Sequence, residues 1–271
     1  MSLNPPHSTK YLFFAILGLV GLSIIFWIAS IFNQEQYPIS ETMYPTDILY
    51  IILPTLVIIL GTFLSIKNRF KGNHGKAWIF FTLAMVSFLV AESTYSYDSE
   101  LDLENISTLT SDIFYLLSYP LLLTFTIFYL KPRRRIISKN IIVTASLISV
   151  IFVIPSLYFT IGIDDELSGI ETAVYGFYPI LSGIILVPSI IAVILFFRGK
   201  VNLLWTLVLL ATFTTIAADT IYLTIEIGDS YDIGNPVDIL FLWSYVLYAL
   251  GVWSYIRLYK TSTQKENSVH F

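Results

Sequence analysis

Apolar runs of the length that a membrane helix needs recur along most of this chain. About 20 helical residues cross the ~30 Å hydrocarbon core of a bilayer, and eight runs of about that length alternate with short polar connections. The predicted runs are Tyr11 to Phe32, Asp47 to Ile66, Trp78 to Tyr97, Asp112 to Leu130, Ile141 to Ile161, Tyr175 to Phe197, Leu203 to Ile225 and Val237 to Ile256. Because they are continuously apolar rather than alternating, they are typical of helices and not of barrel strands. The sequence therefore predicts an all-α integral membrane protein with eight transmembrane helices.

Composition agrees with this class and excludes several kinds of chemistry. The chain has 271 residues, of which 56% are hydrophobic and 13% charged, which is too apolar for a soluble domain of this size. The first run is long and seven more follow it, so we do not interpret it as a cleaved signal. With no cysteine, disulfides, thiolate metal sites and cysteine nucleophiles are excluded. No glycine-rich phosphate loop is present, and we expect neither a cofactor nor a nucleic-acid partner.

The connections between the runs differ in charge, which predicts the orientation. Basic residues follow runs two, four and six and flank the two ends of the chain: Lys10, Lys67, Arg69, Lys71, Lys76, Lys131, Arg133, Arg134, Arg135, Lys139, Arg198, Lys200, Arg257, Lys260 and Lys265. By the positive-inside rule these segments are cytoplasmic, with both termini. Acidic residues concentrate on the other side: Asp98, Glu100, Asp102, Glu104, Asp164, Asp165, Glu166, Asp229 and Asp232. We therefore predict a multi-pass cell-membrane protein with a negatively charged external face.

The second half of the chain resembles the first. The pairs that align are Trp78 with Trp205, Glu92 with Asp219, Tyr95 with Tyr222, Asp112 with Asp238, and Ser118-Tyr119 with Ser244-Tyr245. Four helices per copy give both copies the same orientation, so a pseudo-two-fold axis along the membrane normal is expected. The predicted units are residues 1–139 and 140–260, followed by a short cytoplasmic tail at 261–271. The alternative is that apolar helices resemble one another through composition alone.

Two carboxylates lie inside apolar runs. Glu92 and Asp219 each follow the tryptophan of their run by 14 residues, or about 20 Å along a helix, which puts them in the outer leaflet. No Lys or Arg lies within the predicted runs, so protonation, hydrogen bonds to hydroxyls or a bound cation must offset the cost of burial. Tyr95 and Tyr222 share a face with these acids and offer such hydroxyls. A polar clamp between the repeats and a functional site both explain the pattern.

Asp112 and Asp238 open runs four and eight. An acid in the first turn of a helix is favoured by the unpaired amides and the helix dipole, so capping explains both. Ser111, and Asn235 followed by Pro236, are typical of helix starts. In the alternative interpretation, Asp112 with Tyr115 and Tyr119 on one face, and Asp238 with Tyr245 on another, line an outward-opening vestibule with Glu92 and Asp219.

The positions of the histidine and lysine residues exclude further kinds of membrane site. We predict that His7, His74 and His270 lie in tails or loops, which leaves the membrane without a histidine metal site or proton relay. No lysine lies within a run to hold a retinal Schiff base, which excludes a rhodopsin. The ligand- or cation-binding candidates are Glu92, Asp112, Asp219, Asp238, Tyr95, Tyr119, Tyr222 and Tyr245. The sequence assigns no catalytic residue and identifies no metal.

The string "SDIFYLLSYPLLLTFTIFYL", with "AEST" in the preceding run, resembles the N-terminal multi-span sensory regions of some bacterial and archaeal diguanylate cyclases and histidine kinases. The pattern Asp-x-x-Tyr-Leu-x-x-Tyr-Pro is matched at Asp112, Tyr115, Leu116, Tyr119 and Pro120. Runs seven and eight match more loosely, at Asp238, Leu242 and Tyr245, and depart at Phe241 and Val246. The resemblance implies a membrane region that senses a signal and passes it to an output domain. Because only a short tail follows run eight, the output is expected from a separate partner.

Three functions are consistent with these features. The first is a non-enzymatic membrane sensor or accessory subunit in which an external cation or small ligand shifts helix packing and a membrane or cytoplasmic partner receives the signal. The second is a small transporter or ion carrier that uses Glu92 and Asp219 at the repeat interface. The third is an intramembrane lipid hydrolase with paired acids, as in eight-helix lysoplasmalogenases, although no extended match is present. We favour the first.

Overall fold

The computed structural model describes residues 6–34, 45–98, 107–161, 169–197, 199, 201–227 and 235–268, which form helices and no strand. The α-helices are α1 Pro6–Gln34, α2 Pro45–Lys67, α3 Gly72–Asp98, α4 Ser107–Leu130, α5 Lys139–Ile161, α6 Gly169–Phe196, α7 Asn202–Ile227 and α8 Asp238–Ser268. Seven of them, α2 to α8, are long and apolar enough to cross a membrane, and α1 carries a shorter apolar stretch at Ile16–Phe32. The prediction of an α-helical multi-pass membrane protein is confirmed.

Several helix bounds differ from the predicted ones. Helix α3 begins at Gly72 rather than at Trp78, so Trp78 does not start the helix, and its side chain is fully buried in the bundle. His74 therefore belongs to α3, where its ring meets Tyr129 edge-on with 4.8 Å between centroids; the prediction that it lies in a loop is wrong. Helix α8 continues to Ser268, so the predicted tail is helical up to that residue.

Packing joins the helices into one bundle around α3, α4, α7 and α8. Helix α3 packs against α2 and α4, and α7 packs against α6 and α8. Two further contacts, α2 with α8 and α4 with α6, connect the first four helices to the last four. Helix α1 lies at the edge against α2 and α8, and α5 lies at another edge against α6 and α7. Side chains such as Trp27 of α1 and Ile151 of α5 are exposed, as expected for residues that face lipid.

Two of the basic connections lie together at one end of the bundle. The ammonium groups of Lys76 in α3 and Lys131 after α4 lie 5.8 and 5.6 Å from the centroid of the same Phe128 ring. The short 3₁₀ helix Lys131–Ile136 follows α4 there, and its residues are exposed. We call this side of the bundle the basic end. Because α3 starts at this end, its last turns reach the opposite end.

An aromatic cluster fills the bundle toward the basic end. The Phe125 ring stacks on Trp205 with 5.6 Å between centroids, and Trp78 lies 5.4 Å from both Phe125 and Tyr255. These rings come from α3, α4, α7 and α8, so the four central helices share one set of contacts. Such contacts transmit a displacement of one helix to the other three because packed side chains resist compression.

The close contact between α5 and α6 depends on a glycine. The Ser149 hydroxyl donates a 2.7 Å hydrogen bond to the Gly183 carbonyl oxygen. A Cβ atom at Gly183 would lie 2.2 Å from Cγ2 of Val153 and 3.1 Å from Oγ of Ser149. Small residues permit this kind of backbone approach between membrane helices. A larger side chain at Gly183 must therefore push α5 away from α6.

We expect Gly183→Ala to destabilise the protein by about 1 to 3 kcal/mol, because the added methyl group overpacks a stiff β-branched neighbour. Thermal unfolding in detergent followed by circular dichroism measures the change. Gly21→Ala is the matched control, since a Cβ at Gly21 meets no atom within 4 Å and alanine favours a helix more than glycine does. Equal effects of the two substitutions would contradict the packing argument.

Candidate functional site

Glu92 and Asp219 lie near the end of the bundle opposite the basic end. Glu92 is twenty residues beyond Gly72, the start of α3, which corresponds to about 30 Å along the helix. Asp219 occupies a similar height on α7, which starts at Asn202. Only 7% of Glu92 and 8% of Asp219 is exposed. Both predicted intramembrane acids therefore project into the bundle, which is where ionisable groups in membrane helices usually face.

The Glu92 carboxyl group accepts hydrogen bonds from two tyrosines on different helices. Tyr115 of α4 donates to Oε2 at 2.7 Å, and Tyr245 of α8 donates to Oε1 at 2.7 Å. Each oxygen thus has its own phenol donor. A buried carboxyl group without donors would be costly, so these bonds explain how Glu92 is accommodated. They also fix α4 and α8 against α3.

The Asp219 carboxyl group is bound differently. Tyr119 of α4 donates to Oδ2 at 2.5 Å, so one tyrosine from the first four helices reaches an acid of the last four. Ser182 of α6 lies beside both Tyr119 and Asp219. Asp219 therefore has one well-formed phenol bond on Oδ2 and a buried hydroxyl nearby.

The two acids belong to one group of residues. The Phe88 ring of α3 contacts Tyr115, Tyr119 and Tyr245, with 6.3, 6.4 and 6.0 Å between centroids. At the same end, the hydroxyls of Tyr95 and Tyr222 lie 3.3 Å apart across α3 and α7. We call the following set the carboxylate–tyrosine cluster: Glu92, Asp219, Tyr95, Tyr115, Tyr119, Tyr222 and Tyr245.

Asp112 does not cap a helix. Helix α4 begins at Ser107, so Asp112 and Ser111 lie in its second turn, and the predicted helix start was wrong. The Asp112 carboxyl Oδ1 instead accepts a hydrogen bond from Tyr178 of α6. Burial of the side chain against another helix decides this position, because the acid is too far into the helix to reach unpaired amides.

Asp238 fits the capping interpretation. It is the first residue of α8, and Asn235 precedes it by three residues. The Asn235 Oδ1 accepts a 3.1 Å hydrogen bond from the Val237 amide, as expected for a helix start. Asp238 is buried, its backbone carbonyl accepts a 3.2 Å bond from Tyr50 of α2, and the acid lies within electrostatic range of Glu92. Asp238 thus starts α8 beside the cluster.

Two participants, Tyr178 and Ser182, were not predicted, and Tyr115 was predicted only as part of the alternative vestibule. Tyr178 and Ser182 lie on α6, which carries no acid of the cluster, so no sequence spacing connects them to Asp112 or Asp219. Tyr115 shares a helical face with Tyr119, and this spacing of four residues was the available signal. The predicted acids of the outer connections fall outside the described residues, except Asp98 at the last position of α3, whose side chain is not described.

The cluster combines acids with neutral phenol groups. Among the described residues, no group of three or more His, Cys, Asp or Glu side chains could hold a metal ion. A carboxylate accepts hydrogen bonds only, whereas a carboxylic acid also donates one. A change of protonation, or a small ligand that competes for Tyr245 or Tyr119, would therefore rearrange the bonds between helices.

We expect each of the two inter-helix hydrogen bonds, Tyr245 to Glu92 and Tyr119 to Asp219, to contribute a measurable coupling free energy. In double-mutant cycles, Tyr245→Phe with Glu92→Leu, and Tyr119→Phe with Asp219→Leu, should each give a coupling free energy of about 1 kcal/mol, the range of hydrogen bonds between membrane helices. The measurement is the free energy of unfolding in mixed micelles by denaturant titration.

The mismatched cycle, Tyr119→Phe with Glu92→Leu, serves as the internal control and should couple more weakly. Tyr158→Phe, at a tyrosine that is 72% exposed, should leave stability nearly unchanged. Equal coupling in matched and mismatched cycles would show that general packing, and not these hydrogen bonds, stabilises the cluster.

Comparison with models of protein families, with curated proteins and with solved structures finds no match to this chain. The resemblance to multi-span sensory regions therefore stays a prediction, and the function must be argued from the cluster itself.

Proposed function

We propose that this multi-pass membrane protein is a sensor or accessory subunit in which protons, a cation or a small ligand act at the carboxylate–tyrosine cluster. The observation that carries the proposal is a pair of hydrogen bonds, Tyr245 to Glu92 and Tyr119 to Asp219. Each bond joins one of the first four helices to one of the last four. A change at either acid therefore alters how the two sets of helices are held together.

A parallel duplication of four helices explains why each half of the chain donates a tyrosine hydrogen bond to the acid of the other half. If α1 to α4 correspond to α5 to α8, the contact of α2 with α8 becomes that of α6 with α4, and both contacts occur. When the two halves are exchanged, the bond from Tyr245 to Glu92 becomes the bond from Tyr119 to Asp219. The Tyr95–Tyr222 contact is unchanged by the exchange, because its two residues are equivalent. These exchanges support a pseudo-two-fold axis between α3 and α7, with the units at residues 1–139 and 140–260.

The chemistry of the acids supplies the switch. An ionised Glu92 accepts bonds from Tyr115 and Tyr245 on its two oxygens. After protonation one oxygen becomes a donor and competes with the phenol that was bound there. A ligand that binds better to the protein with one hydrogen-bond pattern than with the other shifts the population of helix arrangements. The size of the shift is set by the difference in its affinity for the two states.

The response would reach the opposite end through the central helices. The helices that carry the cluster also carry the aromatic cluster, where Trp78, Phe125, Trp205 and Tyr255 meet. Beyond it lie exposed arginines of the basic end, including Arg133, Arg134 and Arg135. This side, cytoplasmic by the positive-inside rule, is where a separate signalling partner would bind, as the resemblance to sensory regions also implies.

In this orientation the carboxylate–tyrosine cluster lies buried toward the outside of the cell, the side to which the sequence assigns the connections rich in Asp and Glu. A negatively charged surface raises the local concentration of cations and protons. Protons and cations are therefore the ligands that the arrangement favours.

We expect mild acidification to increase the distance between the two halves at the basic end, because protonation weakens the bonds from Tyr245 and Tyr119. The chain has no cysteine, so Arg135→Cys/Arg257→Cys provides two unique spin-label sites, both exposed. Double electron–electron resonance in lipid nanodiscs at neutral and acidic pH measures the distance distribution.

Glu92→Gln/Asp219→Asn in the same labelled background is the matched control and should give one distance at both pH values. A pH response that persists in this variant would overturn the proposal. The same pair of proteins should be compared by thermal stability in sodium, potassium and calcium salts, where a stabilising ion must lose its effect in the variant if the cluster binds it.

The position of both acids between the two sets of helices also suits a small ion carrier. Vesicle flux separates the two functions. Proton or radiolabelled cation flux that disappears in Glu92→Gln/Asp219→Asn would favour transport, whereas a pH-dependent distance change without flux would favour sensing.

A further inference from the structure

Asp219 lacks the second phenol donor that Glu92 has. Glu92 is bonded by Tyr115 and Tyr245, whereas Tyr119 is the phenol bonded to Asp219. Under the proposed duplication, on which this inference rests, the residue equivalent to Tyr115 is Phe241. Phenylalanine has no hydroxyl, so the two acids differ in their surroundings although their helices correspond.

A small cavity is lined by two neighbours of Asp219, Tyr119 and Ser182, while Asp219 itself is not among its lining residues. It leaves about 10 Å³ for the centre of a water molecule, which is roughly the minimum that one ordered water needs. Five of its lining residues carry hydroxyl groups, and they come from α4, α6, α7 and α8: Tyr119, Ser182, Thr212, Thr215 and Tyr248. Phe88, Leu122 and Ile185 complete the lining. The hydroxyl groups offer a water molecule the two to four polar partners that it needs, which a wholly apolar cavity does not.

One hydroxyl at this cavity is buried and makes no well-formed hydrogen bond within the part of the chain that the structure describes, although Tyr119 and Asp219 lie beside it. Ser182 is 2% exposed, and its Oγ makes no hydrogen bond of good geometry with the described residues. Buried polar groups of this kind are usually satisfied by protein or ordered water. Thr212 and Thr215 donate to the Val208 and Ala211 carbonyl oxygens at 3.0 Å. Their oxygens keep lone pairs that can accept from a water molecule.

The equivalent positions beside Glu92 are apolar. Thr212 corresponds to Met85 and Thr215 corresponds to Phe88, and both apolar side chains are buried in the hydrophobic core, where Phe88 also forms part of the cavity wall. A water molecule there would find few polar partners. The cavity therefore distinguishes the second acid from the first.

We propose that this cavity is a binding site for one water molecule, held by Ser182, Thr212 and Thr215, and that Ser182 connects this water to Asp219. Through the Ser182 hydroxyl and this water Asp219 exchanges its proton, whereas Glu92 is enclosed by two tyrosines and exchanges slowly. The proton-responsive step of the proposed sensor thus begins at Asp219, and Glu92 serves mainly to hold α4 and α8 against α3.

Infrared spectroscopy of the protein in liposomes tests this assignment. At a pH at which both carboxyl groups are protonated, transfer into D₂O shifts each C=O stretching band as O–H becomes O–D. Glu92→Gln and Asp219→Asn assign the two bands. The Asp219 band should exchange at least about tenfold faster than the Glu92 band, because exchange of the enclosed acid requires local opening.

Thr212→Val/Thr215→Val should slow the Asp219 exchange by about tenfold without changing that of Glu92, since the cavity becomes apolar and loses its water. Thr215→Ser keeps the hydroxyl and should retain the wild-type rate, which separates loss of water from misfolding. Thr214→Val is the matched control on the same helix, because the Thr214 hydroxyl makes an exposed bond to the Leu210 carbonyl oxygen.

Equal exchange rates for the two acids, or an Asp219 rate that does not respond to Thr212→Val/Thr215→Val, would overturn the water site. The spin-label experiment is independent of this outcome. Fast Asp219 exchange without a pH-dependent distance change would leave the water site intact and refute the sensing function. A pH-dependent distance change without fast Asp219 exchange would refute the water site and leave the sensing function intact.

Discussion

A carboxylate buried among membrane helices requires hydrogen-bond donors, and much of the arrangement of this bundle follows from that requirement. Water is scarce in the hydrocarbon region, so the donors must come from the protein. Glu92 obtains them from α4 and α8, and Asp219 obtains one from α4. These bonds join residues that are far apart in the sequence, unlike the backbone hydrogen bonds within a helix. They therefore select which helices are neighbours. The apolar surfaces alone would pack in many ways, because lipid and leucine offer similar surroundings.

The sequence predicted the helices and both central acids because each rests on local information. Apolar run length identifies a membrane helix, and an acid within such a run must face the interior. The start of α4 was missed since several residues typical of helix starts, among them Ser107 and Ser111, precede the apolar run. This error turned Asp112 from a half-buried partner of Tyr178 into a supposed cap. Ser182 could not be found because helical periodicity shows which residues share a face, and not which helix that face meets.

The two halves of the chain differ in the residues around their acids, and these differences indicate different roles for Glu92 and Asp219. If both acids only clamped the helices, similar donors around each would serve equally well. Instead Tyr115 corresponds to Phe241, and the apolar Met85 and Phe88 correspond to Thr212 and Thr215. The hydroxyls gather on the side of Asp219, next to the unsatisfied Ser182. One acid is thus bonded by two phenol groups, and the other has one phenol bond and lies beside Ser182, which lines the cavity.

This division suits a device that must be both stable and responsive. An acid enclosed on both oxygens contributes to holding the helices, because displacing either tyrosine leaves a buried group unpaired. An acid with one phenol bond and, as we propose, a water molecule within reach through Ser182 can change its proton with a smaller rearrangement. Tyr119 links them, since it donates to Asp219 and shares the Phe88 contact with Tyr115 and Tyr245. A change at Asp219 therefore reaches the Glu92 side through one ring, and from there the four central helices extend to the basic end.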